Sequence, residues 1–279
     1  MLDNFNYSNI STQNPEIEIS SSDILYIIYT SGSTGNPKGA RITNQNLNNF
    51  VNSFSFYFNG INNSDKCLAS TNIAFDVSIF EFFTTLLNGA TLCLYEENTI
   101  NDIFKYCKSI VDNNITLLYI PPNILEEVYS ILSTYETVSI NKILIGVEAI
   151  NSKTMSKYYK LNKDLRIVNA YGPTETTICA TANVLEKNTI NKYNIIPIGK
   201  PLCNLDVFIL DKNLKPLPIN TPGELYITGD NVGKGYLNNK ELTEKAFIKL
   251  PADITSKIAY KTGDLAKWLS DGNIEYLGR

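Results

Sequence analysis

Tyr29-Thr-Ser-Gly-Ser-Thr-Gly-Asn-Pro-Lys-Gly39 is the stretch from which the rest of the chain is read. Ile24-Leu-Tyr-Ile-Ile-Tyr29, which leads into it, is a short apolar run with the composition of a buried strand. Beyond it, Thr43 is placed to cap a helix that runs through Leu47, Phe50 and Val51. A strand, a glycine-rich loop and a helix in that order wrap backbone N–H groups around a phosphate. Gly32, Gly35 and Gly39 allow close approach, Ser31, Ser33 and Thr34 add hydroxyl donors, and Lys38 brings the positive charge a polyphosphate needs. A flexible Gly/Ser surface turn would explain a shorter string, but not Pro37-Lys-Gly39 with a strand in front.

The G-x-x-x-x-G-K-[ST] phosphate loop does not fit, because Pro37 stands at its second glycine and Gly39 at its Ser/Thr. An ordinary P-loop kinase or GTPase is therefore excluded.

Downstream, strand-like and helix-like segments alternate. Lys66–Ser70 reads as a strand and Val77–Leu87 as a helix, with Asp76 as N-cap and Ser78-x-x-Glu81 as capping box. Thr91–Tyr95 is a strand, Asp102–Val111 a helix, and Leu117–Ile120 a strand stopped by Pro121-Pro122. Helix Ile124–Leu132, strand Lys142–Ile145, helix Lys153–Leu161 and strand Arg166–Ala170 follow. This rhythm predicts an α/β fold, a largely parallel sheet flanked by helices. After about Ile195 come short strands at Asp206–Leu210, Glu224–Thr228 and Asn273–Tyr276, separated by Gly, Pro and Asn turns. They predict a small β-rich, barrel-like subdomain. The division is thus 1–22 as an Asn/Ser/Thr-rich tail or linker, 23–190 as the α/β part and 191–279 as the β-rich part.

Composition narrows the chemistry. The chain has 279 residues, 43% hydrophobic and 19% charged, with a net charge of -4, which gives no reason to expect nucleic acid or an anionic membrane as partner. No apolar stretch approaches the roughly 20 residues of a membrane span, and the N-terminus lacks signal-peptide character, so a cytoplasmic location is expected. The five cysteines (Cys67, Cys93, Cys107, Cys179, Cys203) form no C-x-x-C pair and read as buried free thiols. Histidine is absent, which excludes Ser-His-Asp and Cys-His catalysis. What remains is chemistry by positioning and charge neutralisation, as in phosphoryl or adenylyl transfer.

Two further stretches carry such chemistry. Val168-Asn-Ala-Tyr-Gly-Pro-Thr-Glu-Thr-Thr177 follows a strand, and its Gly172-Pro173 turn presents Tyr171, Thr174 and Glu175 together: an aromatic face, a hydroxyl, and a carboxylate suited to Mg²⁺. Phe75-Asp-Val-Ser78 opens a helix, and on local grounds Asp76 is as simply an N-cap as a functional group.

The loop, written [S/T]-G-[S/T]-T-G-x-P-K-G, resembles the signature loop of the ANL superfamily of adenylate-forming enzymes: acyl-CoA synthetases, luciferases and the adenylation domains of nonribosomal peptide synthetases. N-x-Y-G-P-T-E at Asn169–Glu175, G-E-L-x-I-x-G-x-x-[VL]-x-x-G-Y within Gly223–Leu237, Y-K-T-G-D-L at Tyr260–Leu265 and D-G-x-I-x-Y-x-G-R at Asp271–Arg279 match the same family in order. The Asp of Phe75-Asp-Val-Ser78 points to the amino-acid adenylation domains.

The resemblance implies the core of an N-terminal ANL fold, with ATP and Mg²⁺ as cofactors. Thr30, Ser31, Gly32, Ser33, Thr34, Gly35 and Lys38 would hold the β- and γ-phosphates. Asn169 would meet the adenine edge, Tyr171 stack on the ring, and Asp264 and Arg279 reach the ribose. Thr174 would contact phosphate or the substrate carboxylate, and Glu175 would hold Mg²⁺; with Lys38 these form the catalytic set. Asp76 would pair the substrate's α-ammonium, in a pocket lined by Val77, Phe80, Tyr119, Leu144, Gly146, Ala170, Ile178 and Cys179. Only Asp76 among these is charged, so a hydrophobic, branched aliphatic α-amino acid is expected, with phenylalanine second. The Gly223–Leu237 glycines read as structural.

Two departures stand out. Asn44 occupies a position where many members carry His. The family's stretch ahead of the phosphate loop and its C-terminal lid, with the lid's Lys, are not found, so an inactive or very weak fragment is expected, truncated at both ends. The partners implied are an amino-acid substrate, the missing segments and a phosphopantetheinyl carrier domain. The rival readings are an acyl- or aryl-CoA ligase and a lidless ATP-binding remnant.

Overall fold

The computed structural model describes residues 6, 8, 10–31, 36–94 and 102–279. Gly32, Ser33, Thr34, Gly35 and Tyr95 lie outside these residues, so the expectations placed on them are not carried further.

β1 (Ile24–Thr30) and β2 (Lys38–Thr43) pair antiparallel, with Tyr29 opposite Gly39 and Thr30 opposite Lys38. The chain thus returns from the glycine-rich stretch as a second strand, and α1 (Asn44–Tyr57) starts only at Asn44. This corrects the strand–loop–helix expectation: Lys38–Thr43 has a ladder partner in β1, which a local reading cannot see. It also corrects the burial of β1. Ile28 is buried, but Leu25, Ile27 and Tyr29 on the other face are exposed, because only one side of the two-stranded ribbon is packed. The cap at Thr43 forms as expected. Its hydroxyl accepts from Asn46 N–H while Asn46 Oδ1 accepts from Thr43 N–H, a reciprocal box closed by an amide.

The large sheet comprises β3 (Lys66–Ala69), β4 (Thr91–Leu94), β5 (Leu117–Tyr119), β6 (Lys142–Gly146), β7 (Arg166–Tyr171), β8 (Thr181–Leu185) and β9 (Lys200–Pro201), in the order β4-β3-β5-β6-β7-β8-β9. The first five strands are parallel; β8 and β9 are added antiparallel. Its central strands are apolar on both faces, as a sheet covered on both sides requires. Leu117, Tyr119, Leu144, Val168 and Ala170 face one core with α1, while Leu118, Ile143, Ile145 and Ile167 face the other. On the first side α2 (Val77–Ile79) runs on into a π-helical turn, Phe80–Thr84. On the second, α3 (Ile103–Asp112), α4 (Leu125–Leu132) and α5 (Ser152–Tyr158) contribute Tyr106, Val128 and Met155.

The second sheet is antiparallel and curled. β10 (Leu205–Leu210), β11 (Gly223–Gly229), β13 (Ile258–Trp268) and β12 (Phe247–Lys249) lie side by side, β14 (Ile274–Gly278) pairs with β13, and α6 (Lys240–Ala246) precedes β12. β13 carries the Tyr260–Leu265 motif within an 11-residue strand. Its pairing to β11 shifts between Glu224 and Tyr226, opposite Gly263 at φ 74°. Such a bulge bends a strand and re-aims its side chains; here it presents Asp264. The two sheets meet where Gly199 bridges Ile274.

The cysteines are free, but only Cys67, Cys107 and Cys179 are buried; Cys203 is exposed. Among the described residues no helix is long and apolar enough to cross a membrane.

Candidate active site

A cavity of about 610 Å³ opens where the chain leaves the carboxyl ends of β3, β5, β6 and β7, the place where open α/β sheets bind ligands. Its three ends have different chemistry.

At the first end stands Asp76. The expected N-cap does not form: its backbone is already helical (φ −66°, ψ −19°) and its side chain accepts no capping bond. The Ser78/Glu81 box is absent too. Ser78 Oγ donates to the Phe75 carbonyl at 2.6 Å, and Glu81 accepts from Thr71 N–H and Oγ1 at 3.0 and 2.8 Å. Asp76 instead lines the cavity, and no Lys or Arg pairs with it among the described residues. Burial pushes its carboxyl up to about 6, against the pull of a hydrogen bond from Thr174. Val77, Tyr119, Leu144, Gly146, Ala170, Ile178 and Cys179 line the same end. Phe80 does not. It is fully buried behind the cavity, its ring 5.5 Å from Phe54, because the π-helical turn rotates it into the core beside α1. Glu148, exposed at the rim, was not foreseen from the sequence.

At the second end Lys38 Nζ donates to Glu175 Oε1 at 2.6 Å and to the Tyr236 hydroxyl at 2.7 Å, and Tyr236 donates to Glu175 Oε1 at 2.6 Å. Tyr260 Oη lies 3.4 Å from Tyr236 Oη. Burial opposes ionisation of Glu175, but Lys38 and Tyr236 outweigh it and hold the carboxyl below its usual range. Burial and the Glu175 charge push the Tyr236 phenol well up, so it stays a donor. Thr30 and Ser31 line the cavity here, and Thr30 Oγ1 is buried with no partner among the described residues. An orphaned hydroxyl beside a lysine fits a ligand phosphate oxygen. A carboxylate that already turns toward a cation fits a hard divalent ion, and Mg²⁺ commonly takes one or two protein carboxylates with phosphates and water completing its shell. Among the described residues there is no cluster of three or more metal-ligating side chains, so such an ion would depend on that shared shell.

At the third end Tyr171 donates to Asp264 Oδ2 at 2.6 Å, and Arg279 Nε lies 3.1 Å from Asp264 Oδ1. The Tyr171 and Tyr276 ring centroids are 5.6 Å apart. Asn169 is buried on β7, lines the cavity and donates to the Pro197 carbonyl at 3.0 Å. Thr174 lines the passage between the ends.

The structure therefore brings Thr30, Ser31, Lys38, Asp76, Asn169, Tyr171, Thr174, Glu175, Asp264 and Arg279 to one cavity. Tyr236, Tyr260 and Tyr276 are the aromatic residues that the sequence reading passed over. All three sit inside motifs quoted for their glycines and charges, and each motif tyrosine was the available signal.

Residues 3–237 match the family described as AMP-binding enzyme. Gramicidin S synthase 1 of Brevibacillus brevis is 38% identical over 268 residues, 95% of this chain and 23% of that protein. Tyrocidine synthase 1 of Brevibacillus parabrevis is 37% identical over 257 residues, 92% of this chain and likewise 23% of the synthase. The chain thus spans about a quarter of the length of these relatives. Among solved structures, the nonribosomal peptide synthetase FmoA3 superposes with a TM-score of 0.85 at 28% identity, over 93% of this chain and 27% of that one. The N-terminal subdomain of Klebsiella oxytoca NpsA, solved with 3-hydroxybenzoyl-AMSN, shares the fold with a TM-score of 0.82 at 24% identity, over 97% of this chain and 68% of that one. The chain belongs to the AMP-binding enzyme family, among the adenylation domains of nonribosomal peptide synthetases.

Proposed function

We propose that the cavity binds MgATP and a hydrophobic α-amino acid, whose carboxylate attacks the α-phosphorus to give aminoacyl-AMP and pyrophosphate. The observation that carries this is Asp76, a buried carboxylate without a cationic partner among the described residues, at the apolar end of a cavity whose other end holds Lys38 and Glu175. A substrate ammonium would supply the missing partner, which an acyl- or aryl-CoA ligase substrate lacks.

Lys38 would turn from Glu175 to the phosphates, joined by Thr30 Oγ1 and Ser31. Thr174, between Asp76 and Glu175, would steady the carboxylate or phosphate that meets there. Asp264 and Arg279 would hold the ribose hydroxyls, with Tyr171 against the base and Asn169 at its edge. Glu175 would hold Mg²⁺, whose charge would neutralise the developing pyrophosphate. Tyr119 and Leu144 would limit the depth at the amino-acid end, which would favour Leu, Ile or Val; one methylene separates Val from Ile by only about 1–3 kcal/mol, so overlap is expected.

The test is calorimetry with ATP, with and without Mg²⁺, beside a pyrophosphate-exchange assay over the twenty amino acids. We expect ATP binding by residues 1–279 with negligible exchange. Among the described lining residues the only cations are Lys38 and Arg279, each already paired to a carboxylate. A missing donor at such a transition state costs about 3–4 kcal/mol. Robust exchange would refute the inactivity. In any form of the protein that supports exchange, a preference for a charged amino acid would refute the pocket reading. Glu175→Gln is expected to remove the Mg²⁺-dependent part of ATP binding with the melting temperature little changed; unaltered Mg²⁺ titrations would count against the metal role.

A further inference from the structure

Gly233-Lys-Gly-Tyr-Leu237 leaves the antiparallel sheet and is stitched by its backbone between the two halves of the charged end. Gly233 N–H donates to the Glu175 carbonyl at 2.9 Å, Lys234 N–H to the Arg41 carbonyl at 2.9 Å, and Leu237 N–H to the Gly39 carbonyl at 2.8 Å. Arg41 N–H donates back to Gly235 O at 3.0 Å. A side chain at Gly233 would not fit, since its Cβ would stand 2.7 Å from the Arg41 carbonyl oxygen. The segment therefore ties the strand that carries Lys38 to the turn that carries Glu175.

Tyr236 is the side chain this clasp aims inward. Its N–H donates to Thr243 Oγ1 at 2.9 Å, its ring packs edge-on to Phe247 with centroids 5.6 Å apart, and it is fully buried. Its hydroxyl accepts a hydrogen bond from Lys38 Nζ at 2.7 Å and donates one to Glu175 Oε1 at 2.6 Å. Without ligand, Lys38 and Glu175 neutralise each other. A bound nucleotide with its metal would separate them: Lys38 would turn to phosphate, and Glu175 would lose its ammonium donor.

We propose that Tyr236 is a positioning residue for the metal end of the site, its hydroxyl remaining on Glu175 Oε1 and aiming the carboxylate at the nucleotide-bound divalent cation once Lys38 has turned away. The inference rests on the MgATP reading above and gives the Gly223–Leu237 motif a part in it beyond its glycines. A hydroxyl that only filled space would be indifferent to the metal; one that orients the metal's carboxylate would be felt only when the metal is there.

That difference is the experiment. ATP affinity of the 279-residue chain is measured by calorimetry in excess Mg²⁺ and again in EDTA, for the wild type and for Tyr236→Phe, which keeps the ring against Phe247. The ratio of the two affinities is expected to fall about tenfold in Tyr236→Phe, the size of a lost hydrogen bond to a charged group. The EDTA affinity should stay within about twofold, since no charge has been removed. An unchanged ratio, or equal weakening in both conditions, overturns the positioning role. A wild type whose ATP affinity is indifferent to Mg²⁺ overturns the metal reading of Glu175 instead, a separate outcome. Should Tyr236→Phe not fold, Thr243→Val removes the hydroxyl that receives the Tyr236 N–H. A smaller fall in the same ratio then supports the role, and no fall overturns it.

Discussion

Asp76→Asn is expected to weaken amino-acid binding by more than about a hundredfold while making the ligand-free protein more stable at pH 7 by about 3 kcal/mol. The two effects have one cause. Burial raises the Asp76 carboxyl from 3.8 to about 6, a shift of about two units at about 1.4 kcal/mol each. A carboxyl raised in the folded state binds its proton more tightly there than in the unfolded chain. Its contribution is therefore fully present below the unfolded value near 3.8 and is lost as pH rises through about 6. At pH 7 the folded protein carries a buried carboxylate with no cation beside it among the described residues, and an amide of the same shape removes that cost. The ammonium of a bound amino acid relieves it in the wild type, so the substitution that stabilises the empty protein deprives the substrate of its partner. Glu81 acts in the same direction. Burial lifts it from 4.5 to about 7, against the hydrogen bonds from Thr71 and Ser70. Thermal melts of the wild type between pH 4 and 8 should show stability falling as pH rises; Asp76→Asn should show a shallower fall, with the remainder from Glu81. A mutant that melts at or below the wild type at pH 7 would show that Asp76 has a cation partner after all.

The same residue shows what a sequence can and cannot disclose. Phe75-Asp-Val-Ser78 before a helical run is locally a cap, and only the helical backbone of Asp76, with a carboxylate that makes no capping bond and faces the cavity, distinguishes the site from the cap. The parallel strands were legible because both faces of the sheet are covered, which leaves continuous apolar runs such as Leu117-Leu-Tyr-Ile120 and Ile143-Leu-Ile145. β13 was not, because Tyr260-Lys-Thr-Gly-Asp-Leu265 carries a glycine and two charges; it is a strand by virtue of β11, β12 and β14 alongside it. β2 was missed for the same reason, its partners being β1 and, far along the chain, the bridge from Ala40 to Tyr236. Tyr236 meets Lys38 across 198 residues and Glu175 across 61. No local pattern encodes such a meeting, so the motif containing Tyr236 read as glycines alone.

Gly146→Ala is expected to cost about 3–5 kcal/mol of stability, although the pocket reading names that glycine only as a lining residue. Gly146 ends β6 opposite Ala170 of β7, at φ 154°, a backbone conformation L-residues avoid. A Cβ there would stand 2.1 Å from the Ala170 carbonyl oxygen. That atom belongs to the centre of the large sheet and cannot swing aside as the tip of a flexible side chain would. An alanine must therefore either part the two strands or bend the chain just where Leu144 and Val147 are presented to the cavity. Strain of about 1–3 kcal/mol for the backbone adds to a comparable cost for the intruding methyl. Against a domain stability of about 5–15 kcal/mol this is a large fraction, and a drop in the denaturant midpoint with an unchanged slope would register it. A midpoint within about 1 kcal/mol of the wild type would mean that β6 and β7 part at little cost there. If the loss is as large as expected, position 146 is closed to pocket redesign. Selectivity at the amino-acid end must then be sought at side chains that can change size without moving the sheet, with Tyr119 and Leu144 first, since both face the cavity from strands whose backbone they do not strain.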